Sequence, residues 1–118
     1  MKDFRKLKVW EKAHDVTLRF YNLTKKFPRE ELYGLTSQIR RAAVSIPTNI
    51  SEGCVRSSDA DFARFLYISL GSASELEYLT LLSSELKYID KSPSADLLNE
   101  VNEVKKMLIS LFKKLKAY

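Results

Sequence analysis

A chain of 118 residues with three glycines, three prolines and a net charge of +5 suits one domain built of a few long helices. Turn residues are too few for a β-sandwich, and a chain of this length buries about two-thirds of its unfolded surface, so neither disulfides nor a structural metal are needed. The single cysteine, Cys54, excludes an internal disulfide and points to a reducing, cytoplasmic setting; no stretch is apolar enough to cross a membrane, and the charged start MKDFRKLKVWEK is not a signal peptide.

The first predicted helix covers residues 7–26. Val9, Ala13, Val16, Phe20, Leu23 and Phe27 recur every three or four residues as an apolar face, and Pro28 stops the helix. Lys8, Lys12, Arg19 and Lys26 form a basic stripe facing away from that core. The lone histidine, His14, sits near Leu18 and Tyr21 and reads as structural.

The second predicted helix, residues 35–56, holds the segment SQIRRAAVSIPTNISEG. Leu35, Ile39, Ala42, Ala43, Ile46 and Ile50 share its core face. Gln38, Arg41, Ser45, Thr48, Glu52 and Arg56 form a polar stripe, and Arg40, Val44, Pro47 and Ser51 a third face. Adjacent Arg40 and Arg41 therefore point about 100° apart and serve different neighbours. Pro47 removes a hydrogen bond to the Ala43 carbonyl and clashes with it, a cost of about 3 kcal/mol or more inside a helix. Ser45, Thr48 and Asn49 are placed to rebind freed backbone groups. The structural expectation is a helix kinked at Pro47; the functional rival is a carbonyl-lined site at the bend. Asn49, at the margin of the core face, reads as a hydrogen-bonded structural residue before a ligand. Glu52 stands four residues before Arg56 and can pair with it. Gly53 fits a helix end or a close contact.

The third predicted helix, residues 59–88, starts at a Ser58 cap, with Asp61 placed to reach back toward it. Phe62, Phe65, Leu66, Ser69, Ala73, Leu76, Leu79 and Ser83 form its core face. Tyr67, Leu70, Tyr78, Leu81 and Tyr88 lie opposite. A helix apolar nearly all round is usually buried on both sides, and soluble monomers seldom expose such a patch. Either neighbouring helices wrap over it or the chain self-associates. Residues 59–90 carry six acidic and two basic groups, between basic ends. An acidic third helix docking on a basic first or fourth helix of the next copy joins unlike surfaces and closes a ring. Gly71, Ser72 and Ala73 read as room for close helix packing.

The fourth predicted helix, residues 93–117, has Ser92 as cap and Pro93 at its first position. Leu97, Val101, Val104, Leu108, Leu111 and Leu115 make its core stripe. Lys106 and Lys113 align on the outside, with Lys116 nearby. Four such helices with short connections pack as an all-α, antiparallel up-down-up-down four-helix bundle, one domain over 1–118.

VWEKA, FPREELYGLTSQIRRAAVSIPTNISEG, FLYISLGSASELEYL and LKYI resemble the bacterial four-helix-bundle family named for 23S rRNA intervening sequences. The shared motifs fall on Tyr33, Gly34 and Leu35; on Gln38, Arg40, Arg41, Asn49, Glu52 and Gly53; and on Gly71, Ser72, Glu75 and Leu76. Thr48 and Ser51 depart from the commoner Ser and Ala. The resemblance implies a four-helix bundle assembled as a pentameric ring. It also implies kinship with the accessory protein of diversity-generating retroelements, which partners a reverse transcriptase and binds nucleic acid. It implies no established activity.

Chemistry at a catalytic centre finds little support. One histidine and one cysteine offer no metal cluster, the three glycines form no phosphate loop, and Asp59 with Asp61 is ordinary for a helix start. No cofactor or metal is expected, and a nuclease would need carboxylates clustered around a metal. The leading expectation is a non-enzymatic, oligomeric adaptor that binds RNA or DNA backbone through Lys8, Lys12, Arg19, Lys26, Lys106, Lys113 and Lys116, without reading bases. On that expectation, Lys12→Glu with Arg19→Glu abolishes nucleic-acid binding and leaves oligomer mass unchanged. Arg40, Arg41, Asn49 and Glu52 are either binding or structural residues, an arginine pairing with Glu52 or Glu75 in the second case. The alternative is a scaffold that docks an acidic partner protein and has no physiological nucleic-acid ligand.

Overall fold

A computed structural model of the chain describes residues 2–116, the side chain of Lys116 excepted. Four helices follow in order: α1 (Lys8–Thr24), α2 (Leu35–Cys54), α3 (Asp59–Glu85) and α4 (Lys91–Lys116), with short 3-10 turns at Phe4–Lys6 and Arg29–Glu31. Each helix packs on two neighbours, α1 on α2, α2 on α3, α3 on α4 and α4 on α1, while the diagonal pairs stand apart. This is the expected four-helix bundle, 46 × 23 × 20 Å, its long axis set by α3 and α4. The apolar stripes meet inside: Phe20, Ile39, Ile46, Ile50, Leu66 and Leu108 are fully buried.

The helix ends differ from expectation for local reasons. The Lys26 and Phe27 N–H groups donate to the Leu23 and Thr24 carbonyls at 3.2 and 3.1 Å, so α1 tightens and closes before Lys26. The Ser58 hydroxyl accepts from the Asp61 N–H at 3.1 Å, capping α3 as predicted. Lys87 sits in the left-handed region (φ 67°) just past α3. The Tyr88 N–H then reaches the Ser83 carbonyl at 2.9 Å and the Lys87 N–H the Ser84 carbonyl at 3.0 Å, which ends the helix. α4 starts at Lys91, two residues before the predicted start, because the Ser94 N–H donates to the Asp90 carbonyl at 3.0 Å. Ser92 is therefore not the cap. Pro93 is the third helical residue, where its missing N–H would still have had no helical acceptor.

α2 runs through Pro47 as one helix. The Ala43 carbonyl that proline deprives of a donor is met from α1: the Thr17 hydroxyl lies 3.1 Å from it and 2.8 Å from the Ala13 carbonyl. The Ala13 oxygen already has a helical partner, so Ala43 is the acceptor in need of that proton. The expected local rescue by Ser45, Thr48 and Asn49 is thus replaced by a neighbouring helix, and no open carbonyl site remains at Ala43. Asn49 instead donates to the Ser45 carbonyl and hydroxyl at 2.8 and 3.0 Å, and Ser45 bonds Ser72 of α3 at 2.8 Å.

Candidate nucleic-acid interface

The antiparallel pairing of α1 with α4 decides what the predicted basic stripe meets. Lys12 lies 3.0 Å from Glu103 and 3.6 Å from Glu100, and Arg19 pairs with the same Glu100. These two cations point away from the core, as expected of the stripe, but they are tied to α4 along its flank rather than free. A helical wheel shows that a side chain avoids its own apolar face; it does not show which helix flanks it. Lys26 lies beyond the end of α1 and is exposed.

At the other end of the seam the result is opposite. Lys8 opens α1 and faces Lys106 and Lys114 of α4 across a groove of about 450 Å³ whose floor is Leu7, Val9, Met107 and Leu111. All three lysines are exposed, and none has an ion-pair partner among the described residues. The structure therefore joins one residue from each predicted stripe and adds Lys114. The missed signal was slight: Lys114 points about 100° away from Lys113 and shares the side of Met107, seven residues before it, and only the position of α1 selects it. Lys113 is exposed close by, and the Lys116 side chain lies outside the described residues.

The other candidates divide. Arg40 donates from Nε to the Thr24 hydroxyl at 2.9 Å and lies 4.9 Å over the Tyr21 ring, a structural strut between α1 and α2. Arg41 is exposed and lines a second groove of about 430 Å³ with Gln38, Ser45, Ser72 and Glu75, without an ion pair to Glu75. Glu52 is exposed and does not pair with Arg56, because α2 ends between them and the Arg56 guanidinium lies 4.5 Å over Phe65. His14 stacks on Trp10, ring centroids 5.0 Å apart.

On α3, Tyr67 (64%), Tyr78 (59%) and Leu81 (46%) are exposed, along one side of the helix. Leu70 and Tyr88 leave that group, since both pack against the core of their own chain. The Tyr88 hydroxyl donates to Glu31 Oε2 at 3.0 Å, while Glu31 Oε1 accepts from the Leu35 N–H at 3.1 Å. Glu31, unmarked in the sequence, thus caps α2 and anchors the α3–α4 turn. That hydrogen bond, with desolvation second, raises the Tyr88 pKa above its ordinary 10.0. Gly71 stands between Tyr67 and Tyr78, and a Cβ there would meet nothing within 4 Å. No helix of its own bundle packs on it: Gly71 opens outward.

Burial pushes the Cys54 thiol pKa up, which disfavours the reactive thiolate. Among the described residues no three His, Cys, Asp or Glu side chains gather as a metal site, and no helix is long and apolar enough to cross a membrane.

A family model described as 23S rRNA-intervening sequence protein matches residues 5–110. Among solved structures, a protein with unknown function from the S23 ribosomal protein family of Bacteroides thetaiotaomicron superposes with a TM-score of 0.83, at 34% identity over 89% of this chain and 95% of that one. Comparison with curated proteins gave no match.

Proposed function

The chain belongs to the 23S rRNA-intervening sequence protein family, and from that premise we propose that it is a non-enzymatic helical-bundle adaptor binding RNA or DNA backbone. The observation that carries the reading is the convergence of Lys8, Lys106 and Lys114 from two helices on one groove. Unpaired ammonium groups displace condensed counterions from phosphates, which gives salt-dependent affinity. Lys12 and Arg19, spent on Glu100 and Glu103, contribute little to it.

Self-association is part of the proposal. Tyr67, Tyr78 and Leu81 form an apolar stripe on an acidic helix, and Gly71 leaves its middle bare. A mid-helix glycine costs about 0.5–1 kcal/mol relative to alanine, and nothing in a single copy requires one there. Close approach by a second copy supplies the reason. Docking of this face on an unlike face of the next copy, clear of the groove, builds a ring, of five by resemblance to the family, and repeats the groove with a gain in avidity.

Fluorescence anisotropy with labelled RNA and DNA across a salt series tests the binding reading. Lys8→Glu, Lys106→Glu and Lys114→Glu together should remove binding and leave oligomer mass unchanged. Glu100→Gln with Glu103→Gln, which frees two cations, should tighten it. Undiminished binding by the triple variant overturns the assignment. Light scattering on Gly71→Ala tests the assembly: a lower mass at higher helix stability is expected, and an unchanged mass removes that face from the interface.

A further inference from the structure

Resting on the nucleic-acid reading, we infer that the Lys8–Lys106–Lys114 groove is built for a single strand, seating an unpaired base on its apolar floor while the lysines hold the adjoining phosphates. The groove exists because α1 and α4 are unequal. α4 runs 26 residues and α1 only 17, and the chain ahead of α1 turns aside to α2, where the Lys2 N–H donates to the Cys54 carbonyl at 2.9 Å. Met107 and Leu111 of α4 are left half-buried at the edge of the core, with no helix among the described residues laid over them.

Charge alone does not call for such a floor. A duplex presents phosphates outward and keeps its bases stacked inside, so it engages the lysines and leaves Leu7, Met107 and Leu111 wet. An unpaired base has two apolar faces and hangs beside its own phosphates, which matches an apolar trough rimmed by ammonium groups. The volume of about 450 Å³ falls in the ~300–1,000 Å³ range of sites that enclose small ligands. Met107 is unbranched and adapts its shape to what it contacts. The Ser110 hydroxyl is the lone neutral polar side chain in the lining, so the groove accepts a base without identifying it.

The test compares a fluorescein-labelled single-stranded RNA of about ten nucleotides, inside the usual ~4–16 nucleotide footprint, with a duplex of equal length. Wild-type protein should favour the single strand by roughly tenfold, the size expected when one base face is buried against aliphatic carbon. Met107→Gln, which keeps length and helix propensity, should erase that preference and leave duplex affinity as it was. In wild-type protein, a 4-thiouridine placed mid-strand should crosslink to residues 106–114; this measurement does not depend on any variant folding. Equal affinity for both probes, lost together in the triple lysine variant and untouched by Met107→Gln, overturns the single-strand inference and leaves the backbone reading standing. A preference that survives Met107→Gln, with crosslinks elsewhere, also overturns it. No binding of either probe at low salt overturns both readings.

Discussion

Where α2 meets its neighbours, contact is close and the buried polar links are neutral. A Cβ on Gly53 would come within 2.8 Å of the Phe62 ring and 2.9 Å of Phe65 Cβ; Ser45 bonds Ser72, the Ser69 hydroxyl donates to the Ile46 carbonyl at 2.9 Å, and Thr17 reaches Ala43 from α1. Where α1 meets α4, the polar links are ionic and wetter: the side chains of Lys12, Glu100, Arg19 and Glu103 are 29, 23, 49 and 59% exposed. Half-exposed ion pairs contribute about 0–1 kcal/mol each, because water and salt screen them and both side chains lose freedom. A buried acceptor without a donor costs about 1–3 kcal/mol. The buried neutral links therefore hold the bundle more firmly than the half-exposed ion pairs between α1 and α4, the same two helices between which the Lys8–Lys106–Lys114 groove opens.

The sharpest way to break this comparison is at Thr17. Thr17→Val keeps the shape and strands the Ala43 carbonyl, so urea denaturation should show a loss of about 1–3 kcal/mol. In a Pro47→Ala background the new N–H serves Ala43, and the same change should cost much less; an undiminished cost breaks the link between Thr17 and Pro47. Gly53→Ala comes next. Phe65 Cβ cannot yield without moving α3, so overpacking should outweigh the alanine's better helix propensity and leave a net loss of about 1–2 kcal/mol. A stable Gly53→Ala protein would show that α2 and α3 can separate freely.

On the ionic side, a double-mutant cycle between Arg19→Ala and Glu100→Ala should return a coupling of about 1 kcal/mol or less, fading in high salt. A larger, salt-resistant coupling would put the ionic seam on a par with the neutral ones. The smallest effect lies at the far end of the bundle. The Tyr88 pKa is raised above 10.0 in the folded chain, so its contribution is intact below that value and is lost as pH rises through the raised one. Thermal stability should decline above about pH 10 in the wild type, and Tyr88→Phe should flatten that part of the curve.

The four core stripes were legible because burial leaves a period in the sequence, and every residue assigned to the α3 core face is buried. The Ser58 cap was legible for a similar reason, since donor and acceptor lie three residues apart. The site was legible only in pieces. Lys8 and Lys106 were marked as basic, but so were Lys12 and Arg19, and nothing local separates a free lysine from one that faces Glu100. Thr17 was invisible as the answer to Pro47, because its partner lies 26 positions away. Tyr88 carries the same residue type as Tyr67 and Tyr78, and what sets it apart is Glu31 on a distant turn.

By itself the sequence determined the helices, their inward faces and the family, all of which rest on short-range periodicity and contiguous motifs. Tertiary structure alone decided which cations stay free, which tyrosines stay exposed, and how α4 is set against α1 to leave a groove. Those outcomes depend on which helix stands beside which, and at what offset, and a chain's local pattern does not encode the neighbour across a seam.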